Sequence, residues 1–166
     1  MEGYAASFPR TSPLNRPWLA PSTTFRYSSA VRGDVAYLAA QVVGPYPNQS
    51  EGVIVIDVSD PSKLRRIGMV DTYGEATQLE LVRDRLYLAD GTGGLRVFDV
   101  SAPDTPRDIG GVDLGPGSEV LDAHVVGARA YLAAGGAGVV AVDLGPDLAP
   151  TRGAVDLFLP SIEASR

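Results

Sequence analysis

Short apolar runs, each broken by glycine, proline or aspartate, follow one another along the chain, and no segment holds a helical period between caps. The pattern predicts strands. TQLELV (Thr77–Val82) alternates polar and apolar positions, and RLYLAD (Arg85–Asp90) follows after an Arg-Asp turn. GTGG then leads into LRVFDV (Leu95–Val100), and SAPDTP leads into RDIGGVDL (Arg107–Leu114). Four short strands joined by tight turns read as an antiparallel meander. The runs VIVIDV (Val53–Val58) and VVAVDL (Val139–Leu144) are apolar on both faces, as expected of strands covered from both sides.

The meander repeats. Gly52, Gly94 and Gly138 open equivalent apolar runs, and Asp57, Asp99 and Asp143 close them, recurring after 42 and then 44 positions. Tyr37, Tyr87 and Tyr131 sit in matching upstream strands, the first interval lengthened by the insertion Gln41–Gly52. A four-strand unit of this length is the sequence form of a propeller blade. The expected fold is therefore all-β: four-stranded antiparallel blades of β-propeller type, about three of them plus an extra N-terminal strand. An irregular segment 1–16 precedes the repeat domain 17–158, with units near 24–71, 77–114 and 121–158, and a tail 159–166 follows. Pro17–Asp34 aligns with Arg66–Asp84, so the chain opens late in a preceding unit. Closed propellers hold about four to eight blades. Three units thus imply an incomplete propeller, whose missing blades lie in a parent chain or are supplied by self-association; an atypical small closure, with the N-terminal strand sealing the last sheet, is the remaining arrangement.

Composition narrows the partners. The 166 residues are 45% hydrophobic and 20% charged, with a net charge of -6. This is a globular profile with an acidic surface that disfavours nucleic acid and anionic membrane. Lys63 is the single lysine, and the arginines are scattered. With no cysteine, disulfides, thiolate metal sites and thiol nucleophiles are excluded. The first residues show no signal-peptide h-region, and no apolar run reaches the ~18 residues of a membrane helix.

The residues IVIDVSDPSK, LRVFDVSAPDTP, AYLAA and LYLADGTGGL resemble the LVIVD repeat, a bacterial and archaeal β-propeller repeat. The resemblance runs from about Ser28 to Asp156 and weakens in the third copy, where LGPDLAP replaces the Ser-Asp-Pro turn. The family's first-strand aspartate falls on Asp122, with Gln78 and Ser28 in the other copies, and its strand-end aspartate falls on Asp90. The resemblance implies a propeller, often within surface or exported proteins, and carries no catalytic set.

Candidate chemistry is sparse. The oxygen cluster Asp57, Ser59 and Asp60 before Pro61 has calcium-like donors, but its counterparts Asp99, Ser101 and Pro103, and then Asp143, lose the second carboxylate. Turn capping accounts for the cluster better than a metal site, and no metal or cofactor is expected. DGTGG (Asp90–Gly94) precedes a strand rather than a helix, so a hairpin turn is expected there rather than a phosphate loop. The single histidine, His124, shares a strand face with Asp122 but has no nucleophile elbow nearby, so no catalytic residue is assigned. If the first strands line a channel, Ser28, Gln78, Glu80, Asp122 and His124 would face it and could bind a small ligand. The repeated tyrosines fit packing between blades. Asn48-Gln49-Ser50 matches a glycosylation acceptor pattern by chance. A non-enzymatic scaffold or a protein- or ligand-binding module follows, with a channel-mouth enzyme or ligand site as the alternative.

Overall fold

The computed structural model describes residues 28–40 and 52–150. Three antiparallel sheets follow one another along the chain. The first holds β1 (Ser29–Arg32), β2 (Val35–Ala40), β3 (Gly52–Asp57) and β4 (Arg65–Asp71), in that order. The second holds β5 (Gln78–Val82), β6 (Arg85–Ala89), β7 (Leu95–Asp99) and β8 (Arg107–Val112), again in chain order. The third comprises β9 (Asp122–Val126), β10 (Arg129–Ala133) and β11 (Val139–Asp143). The strand expected at Gly153–Phe158, the N-terminal strand and the Gln41–Glu51 part of the insertion lie outside the described residues. These are propeller-type blades, and among the described residues they form an open rather than a closed set.

Turn chemistry sets the meander. The first two strands of each unit are joined by Gly33-Asp34, Arg83-Asp84 or Gly127-Ala128, with positive φ at the leading residue. Registers then match between units: Ser29 faces Leu38, Leu79 faces Leu88, and Ala123 faces Leu132. Ser29, Leu79 and Ala123 are thus equivalent positions. Pairing shifts by one residue after Val55 in the first unit and after Val97 in the second. Such an irregularity increases local twist, and nothing in the apolar pattern announces it.

Two apolar cores lie between the blades. Tyr37, Ala39, Val53 and Val55 of the first blade pack with Leu79, Leu86, Leu88 and Phe98 of the second. Tyr87, Ala89, Leu95 and Val97 leave the other face of the second blade and meet Ala123, Val125, Ala130 and Leu132 of the third. The second blade, with a neighbour on each side, has two interiors to fill. VVAVDL, expected to be covered from both sides, instead alternates along β11 between exposed and half-buried positions, with Val139 79% exposed.

Two short helical turns were not expected. Gly135–Ala137 winds as a 3-10 turn within the β10–β11 hairpin. LGPDLAP closes into a single α turn, α1 (Gly145–Leu148), with Pro146 at its start. A proline at a helix's first turn loses no hydrogen bond, which permits a turn too short for periodicity to reveal.

Candidate functional site

The first-strand polar residues meet in the seams between blades. Ser28 reaches from the first blade to the second: its Oγ accepts from the Leu79 amide at 3.0 Å and donates to the Leu79 carbonyl at 3.4 Å. One seam on, Gln78 Oε1 accepts from the Ala123 amide at 3.4 Å, and Glu80 Oε2 accepts from the Val125 amide at 2.6 Å. Thr77 Oγ1 donates to the Leu121 carbonyl at 2.9 Å. The rule is the same in both seams: a polar side chain on one inner strand satisfies an edge amide of the next. Alternation along the strand produces it, because positions two apart point toward the same neighbour.

His124 Nδ1 lies 3.0 Å from Glu80 Oε1 across the second seam. The imidazole is exposed, whereas the carboxylate is largely covered. Burial raises the Glu80 carboxyl above the ordinary glutamate range, opposed by the Val125 amide and by His124. Asp122 shares the His124 face, and its Oδ1 accepts from the Ala123 amide at 2.8 Å. The structure thus brings Gln78, Glu80 and His124 together at one seam, leaves Asp122 exposed on the His124 face, and puts Ser28 at the other seam.

Asp90, the strand-end aspartate of the repeat pattern, has a role that the pattern did not specify. Among the described residues it is the buried charged side chain of the core, with no exposed surface. Its Oδ1 accepts from the Thr72 hydroxyl at 2.6 Å, and its Oδ2 accepts from the Gly74 amide at 3.1 Å, so it ties the linker after the first blade to the second. Burial pushes its carboxyl up despite these bonds. The adjoining Gly91 exchanges backbone hydrogen bonds with Val120, which anchors the entrance to the third blade. DGTGG is therefore both a hairpin turn and a junction of three units. Its trace in the sequence is the strand-end aspartate of the repeat pattern, standing where the sister units carry Ala40 and Ala134.

The turn oxygens bond locally. Asp57 Oδ1 accepts from the Ser59 amide at 3.1 Å and the Ser59 hydroxyl at 2.6 Å. Those bonds, with Arg65 behind them, hold its carboxyl below the usual aspartate range. Asp60 does the same for Ser62 ahead of the Pro61 turn, and Asp99 accepts from the Ser101 amide at 2.9 Å. Asp143 instead pairs with Arg129 at 2.8 Å. Among the described residues no group of three or more His, Cys, Asp or Glu side chains could hold a metal ion. Nor is any described helix long and apolar enough to cross a membrane.

The tyrosine hydroxyls close the seams at the opposite end of the strands. Tyr37 donates to the Pro103 carbonyl at 2.8 Å, and Tyr87 to the Leu148 carbonyl at 2.7 Å. Burial pushes the Tyr37 phenol up to about 12 and raises Tyr87 as well. Tyr131, at the same position in the third blade, is 42% exposed.

A family model described as LVIVD repeat matches residues 28–72 and 73–113, together more than half of the chain. The third unit lies beyond the match. No curated protein matches the sequence.

Proposed function

Because the chain belongs to the LVIVD-repeat family, we propose that it serves as a non-enzymatic propeller-type module, a scaffold or binding unit within a larger surface or exported protein. One observation supports this reading above others: Ser28, Gln78 and Glu80 direct their polar atoms at backbone amides of the next blade. Groups engaged in this way hold blades together, whereas a ligand site requires polar groups that converge on open space. The test is a titration of the ¹⁵N-labelled protein with a panel of small metabolites. Unmoved Asp122 and His124 amides are expected, and saturable shifts at those two residues would overturn the scaffold reading.

The second reading, an enzyme or small-ligand site at the channel mouth, is favoured by the 3.0 Å contact between His124 and Glu80. An exposed imidazole beside a largely covered carboxylate is a pairing suited to proton transfer. On this reading His124→Ala abolishes binding or turnover of whatever ligand the panel yields. A ligand that binds His124→Ala unchanged would sink it.

A further inference from the structure

We propose that the linkers at one end of the blades form a docking surface for a basic, arginine-bearing segment of a partner protein, with Tyr73 as its aromatic anchor. The proposal rests on the module reading above and names the partner's chemistry. Chain direction fixes which loops belong together. The β4–β5 linker, the β6–β7 hairpin and the β8–β9 linker lie at one end of the strands, and the β5–β6 and β7–β8 turns lie at the other. Contacts join the first three into one surface. A Cβ on Gly91 would stand 3.1 Å from the Glu75 amide nitrogen, Gly91 exchanges backbone bonds with Val120, and Thr77 reaches the Leu121 carbonyl.

Tyr73 supplies the anchor. It is 102% exposed, although Tyr37 and Tyr87 are fully buried. Its neighbours on both sides are fixed: the Thr72 hydroxyl and the Gly74 amide donate to Asp90, and a Cβ on Gly74 would fall 1.7 Å from the Asp90 carbonyl oxygen. The backbone beneath the ring is therefore tied to the core while the ring stands in solvent. An aromatic side chain on an ordered backbone loses little entropy when a partner covers it, and such rings often dominate interfaces. Leu121, 43% exposed, adds apolar surface on the adjoining linker.

Charge selects the occupant. Asp71 and Glu75 of the first linker recur as Asp113 and Glu119 in the second, after 42 and 44 positions. All four are exposed, and among the described residues none forms an ion pair. Apart from Arg96, which pairs with Asp108, every described lysine and arginine stands at the opposite end, where Arg65, Arg107 and Arg129 meet Asp57, Asp99 and Asp143. Charges offset one another there, so the excess negative charge lies at the linker end. A segment bearing guanidinium groups would meet carboxylates on two successive linkers and set one cation over the Tyr73 face. An acidic partner would be repelled, and a purely apolar one would leave the carboxylates uncompensated.

Fluorescence anisotropy of labelled hexa-arginine with the full chain tests the proposal. Saturable binding that weakens with salt is expected, and Tyr73→Ala, which leaves the net charge unchanged, should weaken it about tenfold. Tyr73→Phe should bind as the wild type does, and Tyr131→Ala, which removes an exposed ring elsewhere, should change nothing. No saturable binding, binding unchanged in Tyr73→Ala, or equal losses in the two alanine variants would each overturn the proposal. A second variant reads the charge: Glu75→Gln with Glu119→Gln should flatten the salt dependence, and an unaltered slope would count against the linker surface. Failure here leaves the module reading intact, since that reading is judged separately by the Asp122 and His124 amide shifts.

Discussion

The second and third blades carry the same repeat, but β6 is buried along nearly its whole length while β10 alternates between buried and exposed. Their sequences, RLYLA and RAYLA, differ at one position. The second blade is covered on both faces; the third has one neighbour among the described residues. Side-chain identity is therefore a weak guide to the energetic weight of a position here. What counts is whether another blade stands in front of it, since apolar stabilisation scales with area removed from water.

Four measurements would break or sharpen that contrast. The largest effect is expected for Tyr87→Ala, which opens a cavity in a filled seam and orphans a hydrogen bond to Leu148. A loss of about 3–5 kcal/mol in urea unfolding is expected, against less than about 1 kcal/mol for Tyr131→Ala. Equal losses would show that the third blade's face is covered in solution. Next come the glycines that open the third strands. A Cβ on Gly94 would stand 2.3 Å from the Val112 carbonyl at a φ of +79°, whereas Gly138, at +74°, has nothing within 4 Å among the described atoms. Gly94→Ala should cost about 3 kcal/mol or more from overpacking and backbone strain together, and Gly138→Ala about 1–2 kcal/mol from strain alone.

Asp90→Ala ranks third. It leaves the buried Gly74 amide and the Thr72 hydroxyl unpartnered, for an expected loss of about 2–3 kcal/mol by chemical denaturation. Ala134→Asp, the reciprocal change in the third blade, would destabilise rather than add a tie if no donors stand there. The smallest effect is the pH response of the second seam. Burial raises the folded-state pKa of Glu80 above its unfolded value, so folding favours the protonated acid. That contribution is complete below the unfolded glutamate value of about 4.3 and is lost as pH rises through the raised folded value. Glu80→Gln removes it, so the melting temperature of the wild type should fall relative to the variant as pH rises from about 4 toward neutrality. Parallel curves would mean that Glu80 is not buried in the seam.

Much of the fold is visible in spacing alone. Glycine and aspartate recurring after 42 and 44 residues, with tyrosine recurring after 50 and 44, locate β2, β3, β6, β7, β10 and β11, because a blade needs a turn glycine, a seam aromatic and a turn cap in the same order. The turn at Asp57–Pro61 is similarly legible, since its bonds span two residues and depend on nothing distant. The seam groups are only half legible. Alternation puts Gln78 and Glu80 on one face, but a channel and a neighbouring blade are the same direction to a sequence. Asp90 is harder still, because nothing in the linker sequence marks Thr72 and Gly74 as its partners.

The sequence by itself determined the unit: four strands, their order, their turns and which residues alternate, all of which follow from local sterics and a period of two. Tertiary structure alone decided what each face meets. Glu80 became a seam acceptor, Asp90 a buried tie and Tyr131 a half-exposed ring, although their sequence surroundings differ little from those of their counterparts. The physical reason is that hydrogen bonding within a hairpin depends on near neighbours, whereas burial and the satisfaction of an edge amide depend on atoms about 45 residues away.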